Sequence, residues 1–379
     1  MSGNFKIGHL DVRTEFPSPE LTRVSIPVDA WRNGMAVRMP NHLGDTIMAL
    51  PALEALKKLL PRDMALYVIA PEYLRKLFAM LPCVDGFVGL SKPHRLWRRS
   101  EFKALRCRRF GVGVMFNRSF RDAFFMRLAG IRHLYGIPGS GLRNRLLTTR
   151  LAPQKKAAGP GHMTQQYLAV AAALGAPPWD GELPEFVPVD VLNEMSYPLR
   201  ALCSHSQLLI LCPGAAYGSA KRWTAEGFRK VAQDWIARGG IVAVTGGRNE
   251  YETGEQVIGG LDPDKAFNLC GTTALDELFR LLQCALMVVA NDSGVMHLGA
   301  AAGARGVTVF GPTDWTATGP ISPLWSLLSD PPACAPCFRH ECPRGHECMK
   351  AVTPAQVMAE MNALLKKCHI TLPPPGRTS

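Results

Sequence analysis

The stretch Leu286–Pro320 constrains the possible folds of this chain most strongly, because it contains a whole strand-helix-strand pattern. Its two apolar runs are Leu286–Ala290 and Gly306–Phe310. They lack the alternation of apolar and polar residues that a strand with one solvent-exposed face shows. Such runs are typical of strands buried on both faces of a parallel sheet. Between them, the polar turn Asn291–Gly294 precedes a short helix through His297. The pattern predicts a βαβ unit in an α/β fold.

The turn after the first of these strands has the composition of a ligand site. Open α/β sheets bind ligands beyond the carboxyl ends of their strands, where helix N-termini present free N–H groups. Asp292 and Ser293 could hold the hydroxyls of a ribose or a sugar, or could only cap the helix. Gly294 would let a ligand approach the backbone, and His297 follows one turn later. Because Gly311–Asp314 ends the next strand with further polar residues, we favour the ligand site.

The rest of the chain repeats the alternation of strands and helices. Its 379 residues are more than one domain usually holds. An apolar strand from Met35 leads through the loop Pro40–Asp45 into an amphipathic helix, Thr46–Leu60. Prolines interrupt the segment 184–206, and the alternation restarts with Leu208–Cys212. We therefore predict two doubly wound, Rossmann-like α/β domains, residues 34–190 and 206–332, with a flexible N-terminal arm (1–33) and a cysteine-rich loop plus C-terminal helix (333–368).

The net charge of +12 is concentrated in one segment. Residues 92–150 contain fifteen lysines and arginines against only Glu101 and Asp122, a local excess of +13. This indicates an anionic partner, although a solvated basic face without a partner is the alternative. No zinc-finger, RNP or helix-turn-helix pattern is present, and aromatic residues are not interleaved as nucleic-acid stacking requires. We therefore favour an anionic lipid surface or a phosphorylated glycolipid over nucleic acid.

The same composition predicts where the protein works. No apolar run is long enough to span a bilayer, and the first thirty residues carry no apolar signal-peptide core. The eleven cysteines are odd in number and scattered, unlike a disulfide framework. These features predict a cytoplasmic protein.

A second candidate loop follows the strand Leu208–Cys212. The segment Pro213–Trp223 contains two glycines and the adjacent cations Lys221 and Arg222, and a helix is predicted directly after it. Backbone N–H groups, an ammonium and a guanidinium suit a phosphate, although an ordinary strand-helix connection could look similar. The spacing is not that of a Walker A loop. The nearby Gly246-Gly247 lacks the third glycine of a dinucleotide fingerprint, which argues against a nicotinamide dehydrogenase.

Three blocks together resemble a known family. In chain order they are RMPNHLGDTIMALPALEALKKLLP from Arg38, PGAAYGSAKRW from Pro213 and NDSGVMHLGAAAGARGVTVFGPTD from Asn291. Their order and separation resemble the signature blocks of the glycosyltransferase family 9 heptosyltransferases, over roughly residues 35–365. The resemblance implies a GT-B fold, in which two Rossmann-like domains face a cleft, one binding the acceptor and the other the nucleotide sugar.

The resemblance also implies an activity. Members of this family move heptose from ADP-L-glycero-D-manno-heptose onto an inner-core heptose of lipopolysaccharide, with inversion and without a required cofactor. Asp45 matches the base that takes the acceptor proton, and Lys221 matches the cation that stabilises the departing diphosphate. Trp223 and Met296 could pack the adenine or the core, and we favour the core. The residues that match the donor site are Ala216, Tyr217, Lys221, Asp292, Ser293, Gly294 and His297.

The basic segment then acquires an interpretation. The implied acceptor is an anionic Kdo-lipid A inner core at the inner face of the bacterial inner membrane, which positive charge would attract. The protein would be peripheral at that membrane, with no nucleic-acid partner. Two alternatives stay open, a GT-B enzyme for another nucleotide sugar and an inactive nucleotide- or glycolipid-binding adaptor. The arginines predicted to contact the acceptor are Arg118, Arg121, Arg143 and Arg145.

The segment after residue 333 departs from the rest of the chain in its cysteine content. Cysteine and histidine at close spacing are typical zinc ligands, but this spacing matches no common zinc finger. A metal site, a disulfide and a reduced structural loop are the alternatives. A final helix, Pro354–Lys367, is predicted after it. The residues concerned are Cys334, Cys337, Cys342 and Cys348, with His340 and His346 between them.

Overall fold

The computed structural model describes residues 5–9, 20–139, 141–151, 161–187, 195–370 and 372. The chain divides into two compact units. The first unit comprises residues 12–189, and the second comprises residues 1–11 and 190–379. The division falls within the proline-containing segment 184–206, of which residues 188–194 lie outside the described part.

Strands and helices alternate through both units. Over the described ranges the strands are β1 Lys6–Gly8, β2 Met35–Arg38, β3 Leu66–Pro71, β4 Gly86–Leu90, β5 Val112–Met115, β6 His133–Gly136, β7 Thr149–Arg150, β8 Leu208–Cys212, β9 Ile241–Val244, β10 Ala266–Asn268, β11 Met287–Asn291, β12 Gly306–Phe310 and β13 Trp325–Ser329. The α-helices are α1 Leu43–Leu59, α2 Arg75–Ala79, α3 Arg99–Arg106, α4 Phe120–Leu128, α5 Gly141–Asn144, α6 Met163–Ala173, α7 Tyr197–Cys203, α8 Ala225–Ala237, α9 Tyr251–Ile258, α10 Leu275–Cys284, α11 Gly294–Ala301, α12 Trp315–Thr318, α13 Glu347–Lys350 and α14 Pro354–Lys367. Short 3-10 helices lie at Val28–Ala30, Glu72–Leu74, Ser219–Lys221 and Arg248–Glu250.

Each unit is built on one sheet whose strand order reverses near its middle. In the first unit the described strands follow the order β4-β3-β2-β5-β6-β7, with parallel pairing throughout. In the second unit the order is β1-β13-β12-β11-β8-β9-β10, parallel except that β1 runs antiparallel to β13. The order reverses between β2 and β5 and between β8 and β11, and ligands bind at such switch points. The two predicted parallel-sheet α/β domains are therefore confirmed.

The central strands form because most of their residues are apolar, so that both faces can be buried. All four residues of β2 and of β5, and all five of β8, β11 and β12, are buried. Because parallel sheets with fully buried strands are covered on both faces, the loops at the strand ends are the positions open to a ligand. In the described ranges, no helix has both the length and the apolar character that crossing a bilayer requires.

The predicted βαβ unit around Asn291 is present, as β11, α11 and β12. The final helix has the predicted bounds, and Thr353 caps it by accepting a hydrogen bond from the Gln356 N–H. This helix buries Val357, Met361 and Leu365 in the core of the second unit. Its amphipathic spacing and its cap were both visible in the sequence, which explains why its bounds could be predicted.

Two boundaries differ from the sequence-based expectation. Helix α1 begins at Leu43, not at Thr46, because the extended residue is His42 and Gly44 already belongs to the helix. Asp45 therefore lies inside the first helical turn. Within the segment expected to be a flexible arm, Lys6–Gly8 form β1 against β13, where Gly8 gives room to the Trp315 ring. These three residues pair with the edge strand β13, and a run of three residues is too short to show the periodicity from which a strand is predicted.

Candidate active site

A buried asparagine connects the two loops at the switch point of the second unit. Asn291, the last residue of β11, donates from Nδ2 to the Pro213 carbonyl at 2.7 Å. Its Oδ1 accepts a hydrogen bond from the Trp223 backbone N–H at 2.9 Å. Asn291 thus holds both ends of the loop Pro213–Trp223 that follows β8. The sequence patterns give Asn291 no role beyond the turn, although a polar residue that ends an apolar strand is a signal visible in the sequence.

The predicted donor-site residues Lys221 and Asp292 come together here. Lys221 Nζ lies 2.6 Å from Asp292 Oδ2, and the two side chains are 12% and 5% exposed. Thr313, in the loop after the next strand β12, donates its hydroxyl to the same carboxylate oxygen at 2.5 Å. The Lys221 ammonium also lies 4.8 Å from the ring centroid of Tyr217. The loops after β8, β11 and β12 therefore meet at the Asp292 carboxylate, whereas the sequence had predicted only that the last two would meet.

Helix α11 begins next to this ion pair. Ser293 is its N-cap residue, but its side chain makes no capping hydrogen bond. Ser293 Oγ is buried and has no hydrogen-bond partner among the residues that the structure describes. Because Asp292 is engaged by Lys221 and Thr313, the plain helix-capping alternative does not describe these two side chains. A hydroxyl and a helix N-terminus therefore remain available to a ligand at this point.

The remaining predicted donor-site residues fall into two groups. Ala216 and Tyr217 are exposed in the loop after β8, and Gly294 is the first residue of α11. His297 is buried on α11, one turn beyond the helix start. Trp223 and Met296 are core residues, as we favoured, since both are buried and the Trp223 indole donates to the Val352 carbonyl.

The cysteine-rich segment packs directly on the loop after β8. The Tyr217 and His340 rings stack with centroids 4.0 Å apart, and the Tyr217 hydroxyl donates to the Phe338 carbonyl at 2.9 Å. His340 Nδ1 lies 2.6 Å from the Tyr217 carbonyl oxygen, and the His340 carbonyl accepts from the Ala220 N–H at 3.1 Å. A side chain at Gly218 would meet the His340 carbonyl at 2.2 Å, so only glycine allows this approach. The segment thus holds Tyr217 in place, a role that its spacing did not reveal.

The cysteines of this segment are free thiols, as are the other cysteines of the chain. Across the described ranges, no group of three or more histidine, cysteine or acidic side chains is arranged to hold a metal ion. The Cys342 sulfur accepts hydrogen bonds from the N–H groups of Arg344 and His346. Burial, and then the nearby Cys342 thiol, raise the pKa of Cys348 to about 11. At neutral pH Cys348 is therefore a protonated thiol.

In the first unit, Asp45 stands at the switch point between β2 and β5. The loop that leads to it is held by Arg38, whose Nη2 donates to Asn41 Oδ1 at 2.6 Å. The Tyr73 hydroxyl donates to the Asn41 carbonyl at 2.9 Å. Burial and the Asp45 carboxylate raise the pKa of Tyr73 to about 12. The same two causes, in that order, raise the pKa of Tyr167, so both phenols stay protonated near Asp45 at neutral pH.

A buried ion pair lies behind this loop. Arg38 Nε donates to Asp122 Oδ2 at 2.8 Å, and both side chains are fully buried. Asp122 also accepts hydrogen bonds from the Trp97 indole, the Asn117 amide and Arg121 Nε. Burial alone would raise the pKa of Asp122, but the two arginines outweigh it and hold that pKa below its ordinary value. The pair connects β2 to α4, and sequence reasoning had not identified it.

The four arginines predicted for the acceptor occupy different environments. Arg118 and Arg145 are exposed, whereas Arg143 is fully buried and donates to the carbonyls of Ile137 and Asn117 at 2.5 and 2.9 Å. We therefore remove Arg143 from the candidate acceptor residues, because its guanidinium is enclosed in the interior and both of its terminal nitrogens already donate to backbone carbonyls. Arg121 is partly buried and lies at the open cavity described next.

That cavity has a volume of about 600 Å³ and a basic lining. It lies close to the loop that carries the proposed base, because the rings of His94 and His42 are 6.5 Å apart and His42 immediately precedes α1. The lining residues are Lys92, His94, Arg95, Leu96 and Arg121. An anion with an apolar portion would suit such a lining.

Comparison with known proteins places this architecture in a family. The model of the family described as glycosyltransferase family 9 (heptosyltransferase) matches residues 98–347, more than half of the chain. The matched range contains the loops around Lys221 and Asp292 but not Asp45. Lipopolysaccharide heptosyltransferase 2 of Escherichia coli K12 is 28% identical over 345 residues, which cover 86% of this chain and 97% of that protein.

Two further proteins extend the comparison. Lipooligosaccharide heptosyltransferase 2 of Campylobacter jejuni is 29% identical, over 88% of this chain and 99% of that protein. The solved structure of E. coli ADP-heptose lps heptosyltransferase II matches with a TM-score of 0.70 and 24% identity, over 88% of this chain and 99% of that one. The predicted GT-B fold is thereby confirmed. The chain belongs to glycosyltransferase family 9, the heptosyltransferase family, and is a glycosyltransferase.

Proposed function

We propose that this protein transfers heptose from ADP-L-glycero-D-manno-heptose onto an inner-core heptose of lipopolysaccharide, with inversion at the anomeric carbon. The observation that carries the proposal is the Lys221–Asp292 pair at the switch point of the second unit, beside the start of α11. The relatives named for heptosyltransferase activity match nearly their whole length to this chain. A cation next to a helix N-terminus suits a diphosphate, and nearby oxygens suit sugar hydroxyls.

On the donor side, the chemistry requires stabilisation of a leaving ADP. As the bond from the anomeric carbon to the diphosphate oxygen breaks, negative charge grows on that oxygen, and Lys221 would balance it. Tyr217 contacts the Lys221 ammonium through its ring, so it orients the cation. Ala216, Ser293 and Gly294 would contact the nucleotide sugar through backbone groups and the Ser293 hydroxyl. His297 would support α11 from its buried side. No metal takes part in this scheme, since Lys221 and backbone N–H groups supply the positive charge.

On the acceptor side, Asp45 would act as the general base. The acceptor hydroxyl oxygen attacks the anomeric carbon, its proton passes to the Asp45 carboxylate, and ADP departs from the opposite face. A single displacement of this kind inverts the configuration. The hydroxyls of Tyr73 and Tyr167 stay protonated near Asp45, so they can donate hydrogen bonds but do not compete as bases.

The acceptor and the location of the protein follow from charge. An anionic Kdo-lipid A inner core would meet the basic cavity beside His42, with Arg121 in its lining and Arg118 and Arg145 exposed as further candidates. Because this acceptor is anchored in lipid, the enzyme would work as a peripheral protein on the cytoplasmic side of the inner membrane.

The experiment that tests the proposal is a calorimetric titration of the purified protein with ADP-heptose, ADP, UDP and UDP-glucose. It is followed by a transfer assay with a heptose-bearing inner-core acceptor. We expect preference for ADP-heptose and turnover that survives EDTA. Preference for a uridine nucleotide would show that the donor is a different nucleotide sugar, without affecting the assignment of the fold. Donor binding without turnover would favour the adaptor, and turnover that EDTA abolishes would overturn the metal-free scheme.

A further inference from the structure

Helix α4 exposes an apolar stripe where a surface helix ordinarily exposes polar side chains. Phe120, Phe124 and Leu128 are spaced four residues apart and are 44%, 44% and 52% exposed. The opposite side of the helix buries Ala123 and Met126 in the core of the first unit. Residues at this spacing form one face of a helix, so the three exposed side chains lie in a row. A contiguous apolar surface of this kind marks an interaction site.

The stripe is attached to the core, and the next helix exposes a further apolar side chain. The Phe120 and Phe124 rings lie 6.3 Å apart, and Phe124 meets the edge of Phe125 at 5.7 Å. Phe125 in turn stacks on the buried Trp97 ring at 5.4 Å. Leu142 is 65% exposed on α5, which packs against α4. The apolar surface is therefore a fixed part of the fold.

Positive charge lies on the helix that neighbours this stripe. Helix α3 neighbours α4, since the Phe102 and Phe125 rings are 6.2 Å apart. The exposed side of α3 carries three cations at helical spacing, Arg99, Lys103 and Arg106. These two neighbouring helices thus expose an apolar row on α4 and a basic row on α3. Interfacial helices combine the same two elements, with aromatic and leucine side chains in the acyl boundary and cations at the phosphates.

We propose that this surface, formed by α3, α4 and Leu142, docks the enzyme on an anionic phospholipid bilayer. The proposal deepens the proposed function, because an acceptor anchored in lipid has to be met at the membrane surface. Charge selects the occupant: the basic row of α3 would repel a second copy of the same surface, whereas anionic headgroups attract it. The stripe then supplies the apolar contact that phosphate attraction alone lacks.

The test is vesicle flotation of the full-length protein without donor or acceptor. Vesicles contain phosphatidylcholine alone or phosphatidylcholine with phosphatidylglycerol. Binding is expected only to the mixed vesicles, and high salt should weaken it. The double variant Phe120→Ser/Phe124→Ser should bind about tenfold more weakly, because insertion scales with apolar area. Arg99→Glu/Lys103→Glu should lose about fivefold or more per lost cation.

The controls separate docking from folding and from donor chemistry. Tyr197→Ser removes a 77% exposed aromatic residue from the second unit, and Lys366→Glu/Lys367→Glu makes the same charge change on exposed residues of α14. Both controls should float like the wild type, and every variant should keep wild-type ADP-heptose binding. Equal flotation of the stripe variant and the wild type would overturn the proposal. So would sedimentation showing that the stripe holds a dimer. If the wild type floated with mixed vesicles but did not bind ADP-heptose, the proposed donor would be refuted and the docking surface would stand.

Discussion

The two units each place a cation-carboxylate pair at the switch point of their sheet, and the two pairs differ in their access to water. Arg38 and Asp122 are 2.8 Å apart and fully buried. Lys221 and Asp292 are 2.6 Å apart, but their side chains remain 12% and 5% exposed. The chemistry of the pairs is similar, and the sheet position is equivalent.

The partners of each pair explain the difference in role. Asp122 accepts hydrogen bonds from two arginines, an indole and an amide, so its capacity is used within the protein. This fully buried Arg38–Asp122 pair, here called the sealed pair, can position the Asp45 loop. Neither of its side chains is accessible to a ligand. Lys221 has three donors and meets one carboxylate and one ring face, so it can turn a donor toward an arriving diphosphate. Access, rather than charge, therefore separates the structural pair from the candidate site.

The largest expected effect concerns Asp45, the proposed base, whose loop is held by Arg38 of the sealed pair. Asp45→Asn should lower kcat by two to four powers of ten, about the contribution of general-base catalysis. ADP-heptose affinity and thermal stability should stay close to those of the wild type. Asp63→Asn, an exposed residue of the same unit, serves as the control. Wild-type kcat in Asp45→Asn would remove Asp45 from the mechanism.

The next effect would break the sealed pair itself. Asp122→Asn should lower the free energy of unfolding by about 3–5 kcal/mol, because it leaves the Arg38 guanidinium buried without its counter-charge. Urea unfolding followed by circular dichroism measures this loss. Asp180→Asn provides the contrast, since its ion pair with Lys58 is at the surface and should contribute less than about 1 kcal/mol.

The same pair predicts a pH dependence. The pKa of Asp122 is lower in the folded than in the unfolded protein, so its stabilisation is complete above the unfolded value and disappears as pH falls through the folded value. The stability gap between the wild type and Asp122→Asn should therefore narrow only in strongly acidic solution. A gap that narrows already near neutral pH would contradict a carboxylate held ionised by Arg38 and Arg121.

Substitution in the partly exposed Lys221–Asp292 pair should change ligand binding rather than the free energy of unfolding. Lys221→Ala should weaken ADP-heptose binding by about 10–100-fold, the range for a charged hydrogen bond of about 1.5–3 kcal/mol. It should lower kcat/KM at least as much, because the diphosphate contact serves the ground and transition states. Lys230→Ala, on an exposed part of α8, is the matched control. Unchanged donor affinity in calorimetry would show that this loop does not bind phosphate.

The smallest effect concerns the stacking of His340 on Tyr217, the ring that contacts Lys221. His340→Ala removes the ring stacked on Tyr217, an interaction of about 0.5–1.5 kcal/mol, so donor affinity should fall by up to about tenfold. Glu341→Ala, the exposed neighbouring residue, should bind donor normally. Equal affinity in the wild type and His340→Ala would mean that the cysteine-rich segment does not order the donor loop.

Much of the candidate site rests on signals that are local in the sequence. Apolar runs indicated the strands, and polar loops at their ends indicated Asp45, Lys221 and Asp292. Asp122 escaped prediction because its partner Arg38 is 84 residues earlier in the chain. Arg143 was assigned to the surface by composition, since nothing in its neighbours shows that the Ile137 and Asn117 carbonyls would enclose it.

The sequence by itself determined the α/β class, the strand-loop-helix units and the family blocks, because hydrophobic periodicity and turn residues act over a few neighbouring positions. Only the tertiary structure decided that the Asp122 carboxylate is fully buried in an ion pair, whereas the pair formed by Asp292 remains partly exposed. It also decided that His340 clamps Tyr217 and that α4 turns phenylalanines to the surface. Burial and long-range contacts depend on how the sheets and helices pack, and no local stretch of this chain encodes that packing.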